Sequence, residues 1–228
     1  MLNTKYKVEI PLITAILFWV FLTGCSVNNS KIEGANIAGV SNADTLLAPS
    51  NNKQYYFPFK VAGDSGASGI DTFENKWYSV QLFAMKEPVI YSGKSENEIY
   101  RFTWLRSFHH PIAIRVEKHE ETYILTWKMC NGAGGYRPGK LIVYKQLIID
   151  KANWSEFKSQ IDQMDFWNLK THQKVFGCDG AEWILEGKKG NSYHIVDRWS
   201  DEGPAEYYKC CKYLLSLTKI DIPKKEIY

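Results

Sequence analysis

The chain lacks an apolar run long enough to cross a bilayer, a surplus of charge of either sign, and any recognisable metal or nucleotide motif. Its longest apolar stretch covers residues 10–22, thirteen positions interrupted by Pro11 and Thr14. A spanning helix needs about twenty. Lysine and arginine number 28 against 25 acidic residues, too even a balance for a nucleic-acid binder, which needs a concentrated basic face. Only five histidines occur, and no H-E-x-x-H or C-x-x-C spacing accompanies them, so no metal site and no cofactor are expected. Internal repeats are missing as well. Aromatic residues are plentiful: at 14% of 228 residues they supply enough large side chains for the core of one domain.

The strongest local signal is at the N-terminus. Lys5 and Lys7 precede the short apolar run, and Leu22-Thr23-Gly24-Cys25 follows it. A charged segment, a thirteen-residue apolar core and small residues read as an export signal. The last four positions resemble the lipobox of bacterial lipoproteins. That resemblance implies removal of residues 1–24, acylation of Cys25, and a membrane anchor. Each buried methylene of the acyl chains contributes about 0.8 kcal/mol, so two or three chains hold the protein to the bilayer. Ser26, rather than Asp, follows the cysteine. In a host with two membranes this implies the outer membrane, facing the periplasm. Residues 25–54 are rich in Asn, Ser, Ala and Gly and read as a flexible tether with an end-to-end distance of about 30 Å. Residues 55–228 are expected to form the folded domain.

Within that domain, helical spacing runs over residues 71–86, with Asp71 or Thr72 able to cap and Phe73, Trp77, Val80, Gln81 and Ala84 on one face. Strand-like alternation follows at 99–106, 112–118, 122–130 and 140–149. Residues 153–164 read as an amphipathic helix with Trp154, Phe157 and Ile161 inward. A hairpin, 182–186 with 193–199, surrounds Gly187-Lys188-Lys189-Gly190. Pro204 introduces a last helix over 205–217, with Tyr208, Cys211 and Leu215 as its apolar stripe. Short turns between strands imply antiparallel pairing. The expected fold is a single α+β domain, a mainly antiparallel sheet of about six strands with about three helices covering one face.

Four groups of residues bear on chemistry. Gly134-Gly135-Tyr136-Arg137-Pro138-Gly139-Lys140 matches the start of a phosphate-binding loop, but Leu141 stands where Ser or Thr would hold magnesium, and a strand rather than a helix follows. Nucleotide is therefore not an expected ligand. The segment reads as a glycine-rich connection, or as a place where Arg137 and backbone donors bind an anion. His109 and His110 form a turn; neighbouring residues on a strand would point to opposite faces, so a metal would need a turn geometry and a distant ligand such as His194 or Asp197. Asp179, His194 and Asp197 beside Cys178 are candidates for hydrolytic chemistry, against the plain alternative of a turn and a surface pair. Finally, Cys130, Cys178, Cys210 and Cys211 lie in a chain bound for a compartment that permits disulfides. A bond of Cys178 with Cys210 or Cys211 competes with four reduced, buried thiols.

Residues 100–113, 131–140, 179–183 and 196–199 resemble bacterial envelope proteins of unknown function known as hypothetical lipoproteins. The resemblance covers about residues 75–217 and implies no activity, catalytic residue or cofactor. From the residues themselves, the leading expectation is a non-enzymatic binding protein. It would meet an envelope protein or cell-wall partner through Trp104, Tyr136 and Arg137, residue types that dominate interface hot spots. The alternative is a hydrolase or metal-dependent enzyme drawing on His109, His110, Asp179, His194 and Asp197.

Overall fold

The computed structural model describes residues 51, 54–60, 69–92, 97–173, 177–200 and 203–228. The export signal, Cys25 and most of the tether lie outside the described residues. Among the described residues no helix is long and apolar enough to cross a membrane.

One helix, α1 (Thr72–Ala84), precedes four strands: β1 (Glu98–Arg106), β2 (Ile112–His119), β3 (Thr122–Cys130) and β4 (Leu141–Ile149). Helix α2 (Lys151–Gln163), strands β5 (Ala181–Lys189) and β6 (Ser192–Trp199), and helix α3 (Ala205–Leu217) complete the main elements. The six strands form one antiparallel sheet in the order β4-β3-β2-β1-β5-β6. The α+β architecture is thus the expected one. Asp150 begins α2 by accepting a hydrogen bond from the Asn153 amide, the usual service of a carboxylate at a helix start. Strand β5 runs further than the sequence suggests, through Gly187, and the chain turns at Gly190-Asn191. Gly187 serves packing there: a Cβ would come within 2.7 Å of the Tyr100 ring.

Alternation along the strands sends two different sets of side chains to the two faces. One face is aromatic. Tyr100, Phe102, Trp104, Trp183 and Leu185 pack there against Trp154, Phe157 and Ile161 of α2 and Tyr208, Cys211 and Leu215 of α3. Trp104 and Trp183 have ring centroids 5.0 Å apart. Both inward stripes expected for α2 and α3 are the ones buried.

The other face carries α1 and residues 54–60, so the helices divide between the two sides. The buried residues of α1 are Asn75, Tyr78, Ser79, Gln81 and Leu82. Phe73 and Val80, which helical spacing puts on one face with Trp77, Gln81 and Ala84, are exposed. The helix is rotated because its polar side chains have buried partners. Asn75 donates to the Phe57 carbonyl at 2.7 Å, and the Ser79 hydroxyl accepts from the Tyr56 amide at 2.9 Å. An apolar-periodicity reading cannot see a helix whose inward stripe is half polar.

Beneath α1 the sheet holds a layer of buried charge. Glu87, just past the helix, receives Lys128 at 2.8 Å, Arg115 at 3.0 Å and Arg101 at 3.3 Å. Arg101 also pairs with Glu186, and Arg115 with Glu117. Tyr193 donates its hydroxyl to Glu186 at 2.9 Å. Three cations thus meet three carboxylates. Burial alone would raise the Glu87 carboxyl, yet Lys128, Arg115 and Arg101 together hold it well below the ordinary carboxylate range. A depressed pKa in the folded state contributes stability above the unfolded value that is lost on acidification. Removing one member of such a network strands the others, at about 3–5 kcal/mol. Glu87→Ala should therefore lose roughly that much in urea denaturation, whereas Glu121→Ala, at an exposed turn, should stay within about 0.5 kcal/mol of the parent.

Candidate functional site

Next to this balanced layer, at the end of the sheet where β5 and β6 meet the first turn of α1, lies an acid-floored cleft of about 380 Å³. Its lining includes Glu74, Trp77, Tyr136, His172, Glu182 and Asp197.

Each group is positioned by local structure. Asp71 caps α1, its carboxylate accepting from the Glu74 amide at 2.9 Å. Glu74 in turn accepts from the Asp71 backbone N–H, which is the reciprocal arrangement of a capping box. That leaves Glu74 Oε2 buried without a hydrogen bond. One turn on, the Tyr78 hydroxyl donates to Asp197 Oδ2 at 2.9 Å. Asp197 lies opposite Ile184 in the β5–β6 register, and Glu182 opposite Trp199. Glu182 and Asp197 therefore point to the α1 side of the sheet as near neighbours. His172 comes from the segment before β5. The Asp197 amide donates to the Thr171 carbonyl at 2.7 Å, and Arg198 donates to the carbonyls of Thr171 and Lys170 at 3.0 and 2.8 Å. These bonds lay residues 170–172 along β6.

The ring of His172 sits between two carboxylates, Nε2 3.6 Å from Glu74 Oε2 and Nδ1 3.6 Å from Asp197 Oδ2. One donor atom from each of Glu74, His172 and Asp197 lies within 4.8 Å of the others. Among the described residues no lysine or arginine forms an ion pair with Glu74, Glu182 or Asp197. Arg198 spends both terminal nitrogens of its guanidinium on backbone carbonyls, that of its neighbour Asp197 included.

The electrostatic outcome is the reverse of that at Glu87. Burial, with Asp197 and Asp71 nearby, pushes Glu74 from 4.5 up to about 7. Burial chiefly, with the Glu74 charge adding to it, raises Glu182 to about 7 as well. Burial and the Glu182 carboxyl raise Asp197 well above its ordinary value. Burial and Lys60 push His172 down. Three carboxyls sharing one site cannot all ionise cheaply. They share protons, or they take a cation.

No protein-family model matches the chain, and no curated protein is significantly similar to it.

Of the residues singled out from sequence, Asp197 and Asp179 line this cleft, beside the exposed Cys178. The other candidates lie elsewhere. His109 bonds the Tyr228 hydroxyl at 2.7 Å, and His110 donates to the Gly132 carbonyl at 2.9 Å. His194 donates to the Leu169 carbonyl at 2.9 Å and packs on Phe166, on the aromatic face. The expected His/Asp set is therefore not assembled. Trp104 is fully buried, so it offers no binding surface, while Tyr136 is 66% exposed and Arg137 is exposed.

The structure bears on two further expectations, and corrects the disulfide. Backbone donors around Arg137 are spent inside the loop, since the amides of Gly132, Ala133, Gly134 and Gly135 donate to the carbonyls of Pro138, Arg137, His109 and Arg106. The four cysteines of the domain are unbonded. Cys178 lies on the cleft, while Cys210 and Cys211 are buried with the aromatic core of the other face, which keeps the expected partners apart.

Glu74, Tyr78 and His172 carry no local sequence signature of a site. The usable signals were acids at 182 and 197 inside otherwise apolar strands. Glu74 was concealed because Asp71-x-x-Glu74 reads as a helix start.

Glu182→Gln measures the cost of the cluster. A carboxyl raised on folding leaves stability intact below its unfolded pKa near 4.5 and withdraws it as pH climbs to about 7. The melting temperature of Glu182→Gln should match the parent near pH 4.5 and exceed it by several degrees above pH 7, since about 1 kcal/mol is worth roughly 2–4 °C at this size. His194, on the opposite face of the sheet, titrates in both proteins and drops out of the difference, whereas Glu74 and Asp197 are coupled to Glu182 and contribute to it.

Proposed function

We propose that this chain is a lipid-anchored envelope protein whose folded domain binds a partner at the α1–β5–β6 cleft, with a positive charge at the acidic floor and the partner's surface on an aromatic rim. The observation that carries this reading is the contrast between two buried acidic groups on one face of one sheet. Glu87, Glu117 and Glu186 each have a guanidinium or ammonium partner. Glu74, Glu182 and Asp197 have none among the described residues: Glu74 Oε2 and Asp197 Oδ1 meet no donor group, and Glu182 and Asp197 can bond each other only by sharing a proton. A fold able to match buried charge so closely leaves a group unmatched where something else supplies the partner.

The rim supports the same reading. Phe73 is 75% exposed and Phe108 58% exposed. They flank Trp77 and Tyr136, which line the cleft. Trp77 and Gln81 hold the rim loop by donating to the Gly134 carbonyl at 2.8 and 3.0 Å, so the aromatic surface is rigidly mounted. Large, rigid side chains around a polar centre are the usual anatomy of a binding hot spot. Tyr136 and Arg137 remain in this proposal, Trp104 leaves it, and an envelope protein is the expected partner.

A second reading, a hydrolase, is favoured by one fact: two glutamates and an aspartate with raised pKa values share a cleft with a histidine, the composition from which general acids and bases are drawn. Hydrolysis of an envelope ester, amide or glycoside by the purified protein, abolished in Glu182→Gln, would move the assignment to that class.

Photoreactive residues at positions 73 and 136 test the binding reading in intact cells, with position 148 on β4, an exposed isoleucine remote from the cleft, as control. The proposal expects one discrete crosslinked product from both rim positions and none from the control. Absence of a product at both rim positions in a folded, localised protein overturns it. Independently, Cys25→Ala should leave the membrane fraction and remain unacylated.

A further inference from the structure

We infer that the positive charge at the floor of this cleft is a divalent transition-metal ion, of the zinc or manganese type, coordinated by Glu74, His172 and Asp197. The inference rests on the reading of the cleft as a binding site and names what its floor holds.

The donor set points to the class of ion. One imidazole and two carboxylates suit zinc, manganese or ferrous iron, whereas magnesium and calcium favour oxygen alone. The spacing agrees. Bonds of about 2.0–2.2 Å to a central ion set donors roughly 3–4 Å apart. The 3.6 Å approaches of His172 to Glu74 and Asp197 are made by its two different ring nitrogens, Nε2 and Nδ1; with one donor atom taken from each residue, all three fall within 4.8 Å of one another. A small rotation of the Glu74 side chain, partly exposed at the helix start, closes the remainder.

Two carboxylate oxygens in the cleft are also left over. Asp197 is almost wholly buried, its relative exposure being 4%. Tyr78 satisfies its Oδ2, while Oδ1 has no donor when the cluster is ionised, the neighbouring Glu182 carboxyl bonding Asp197 only while the pair holds a proton. Glu74 gives one oxygen to the capping box and leaves Oε2 buried without a hydrogen bond. A buried carboxylate oxygen with no donor is disfavoured, and a cation between Glu74 and Asp197 satisfies both at once. His172 is held for the same purpose. Its ring bonds the Gly69 backbone, and a ring held at one nitrogen by a carbonyl can give the other to the ion, the orientation device common to metal-ligating histidines. Three protein ligands also leave coordination positions open toward the aromatic rim, where a partner's side chain can complete the shell.

Cys178 lines the same cleft and is the competing zinc ligand, so the test includes its removal and a metal that avoids thiols. The full-length chain in detergent, stripped with chelator and dialysed, is titrated with zinc by calorimetry and with manganese by electron paramagnetic resonance. The inference expects one saturable site for each metal, unaffected by Cys178→Ser. It should weaken at least about tenfold in His172→Ala and in Glu74→Gln, the lower bound even for outer-shell changes at metal sites. Glu74→Gln retains the helix cap, and its circular dichroism should match the parent. Absence of binding in the folded parent overturns the metal assignment, as does binding that survives His172→Ala or disappears with Cys178→Ser. If metal binding fails while the crosslinks at positions 73 and 136 persist, the binding reading stands and only the identity of the charge is wrong. Loss of the crosslinks with metal binding intact overturns the partner reading and leaves the metal site standing.

Discussion

Burial of charge on one side of the sheet is the constraint that organises this domain. Strands with an apolar face toward α2 and α3 present arginine, lysine and glutamate to the other side, and those groups cannot be covered by an ordinary apolar helix. Glu87 solves the problem. It sits just beyond the C-terminus of α1 and reaches Arg101, Arg115 and Lys128 on three adjacent strands. The helix that delivers it must also bury polar residues, which is why Asn75, Ser79 and Gln81 face inward. Segment 54–60 follows from the same requirement, since Tyr56 and Phe57 meet those side chains and the Tyr56 hydroxyl bonds the Glu87 carbonyl at 2.9 Å. A buried ionic network of this kind adds less stability than apolar packing of equal volume. What it fixes is the position of α1, and with it the position of Glu74.

The cleft inherits that precision. Glu74 and Tyr78 are one turn apart on a helix anchored at both ends, by the Asp71 cap and by Glu87. Asp197 and Glu182 are on paired strands, and His172 is drawn in by backbone bonds to β6. Every member of the cluster thus sits on a regular element or is tied to one, the arrangement that holds a site to within tenths of an ångström. The same sheet face carries one charge group that is closed and one that is open. That difference, more than the presence of acids, sets the cleft apart from the structural network around Glu87.

The layout of the fold was legible because alternation and helical spacing are strong where one face is apolar. Tyr100, Phe102 and Trp104 alternate with charged and polar neighbours, and Trp154, Phe157 and Ile161 make an unbroken stripe. Helix α1 was found, but its rotation was not, because Phe73 and Val80 are apolar yet exposed while Asn75 and Ser79 are polar yet buried. Periodicity ranks side chains by hydropathy and has no access to hydrogen-bond partners. The site was legible only through Asp197 and Asp179. His172 is separated from Asp197 by a whole strand, and Glu74 lies at the far end of the domain in sequence. Their meeting depends on the β5–β6 register and on the seating of α1, neither of which any local pattern encodes. Residues that drew notice for local reasons, His109-His110 and the glycine-rich loop, spend their polar atoms on nearby backbone or on the Tyr228 hydroxyl.

The most direct test of the central claim is anomalous diffraction from crystals of the protein grown with zinc or manganese, recorded at the absorption edge. The account predicts one strong anomalous peak within about 2.0–2.3 Å of oxygen and nitrogen donors from Glu74, His172 and Asp197. A well-ordered cleft with no peak, Glu182 and Asp197 sharing a proton across its floor, would contradict it.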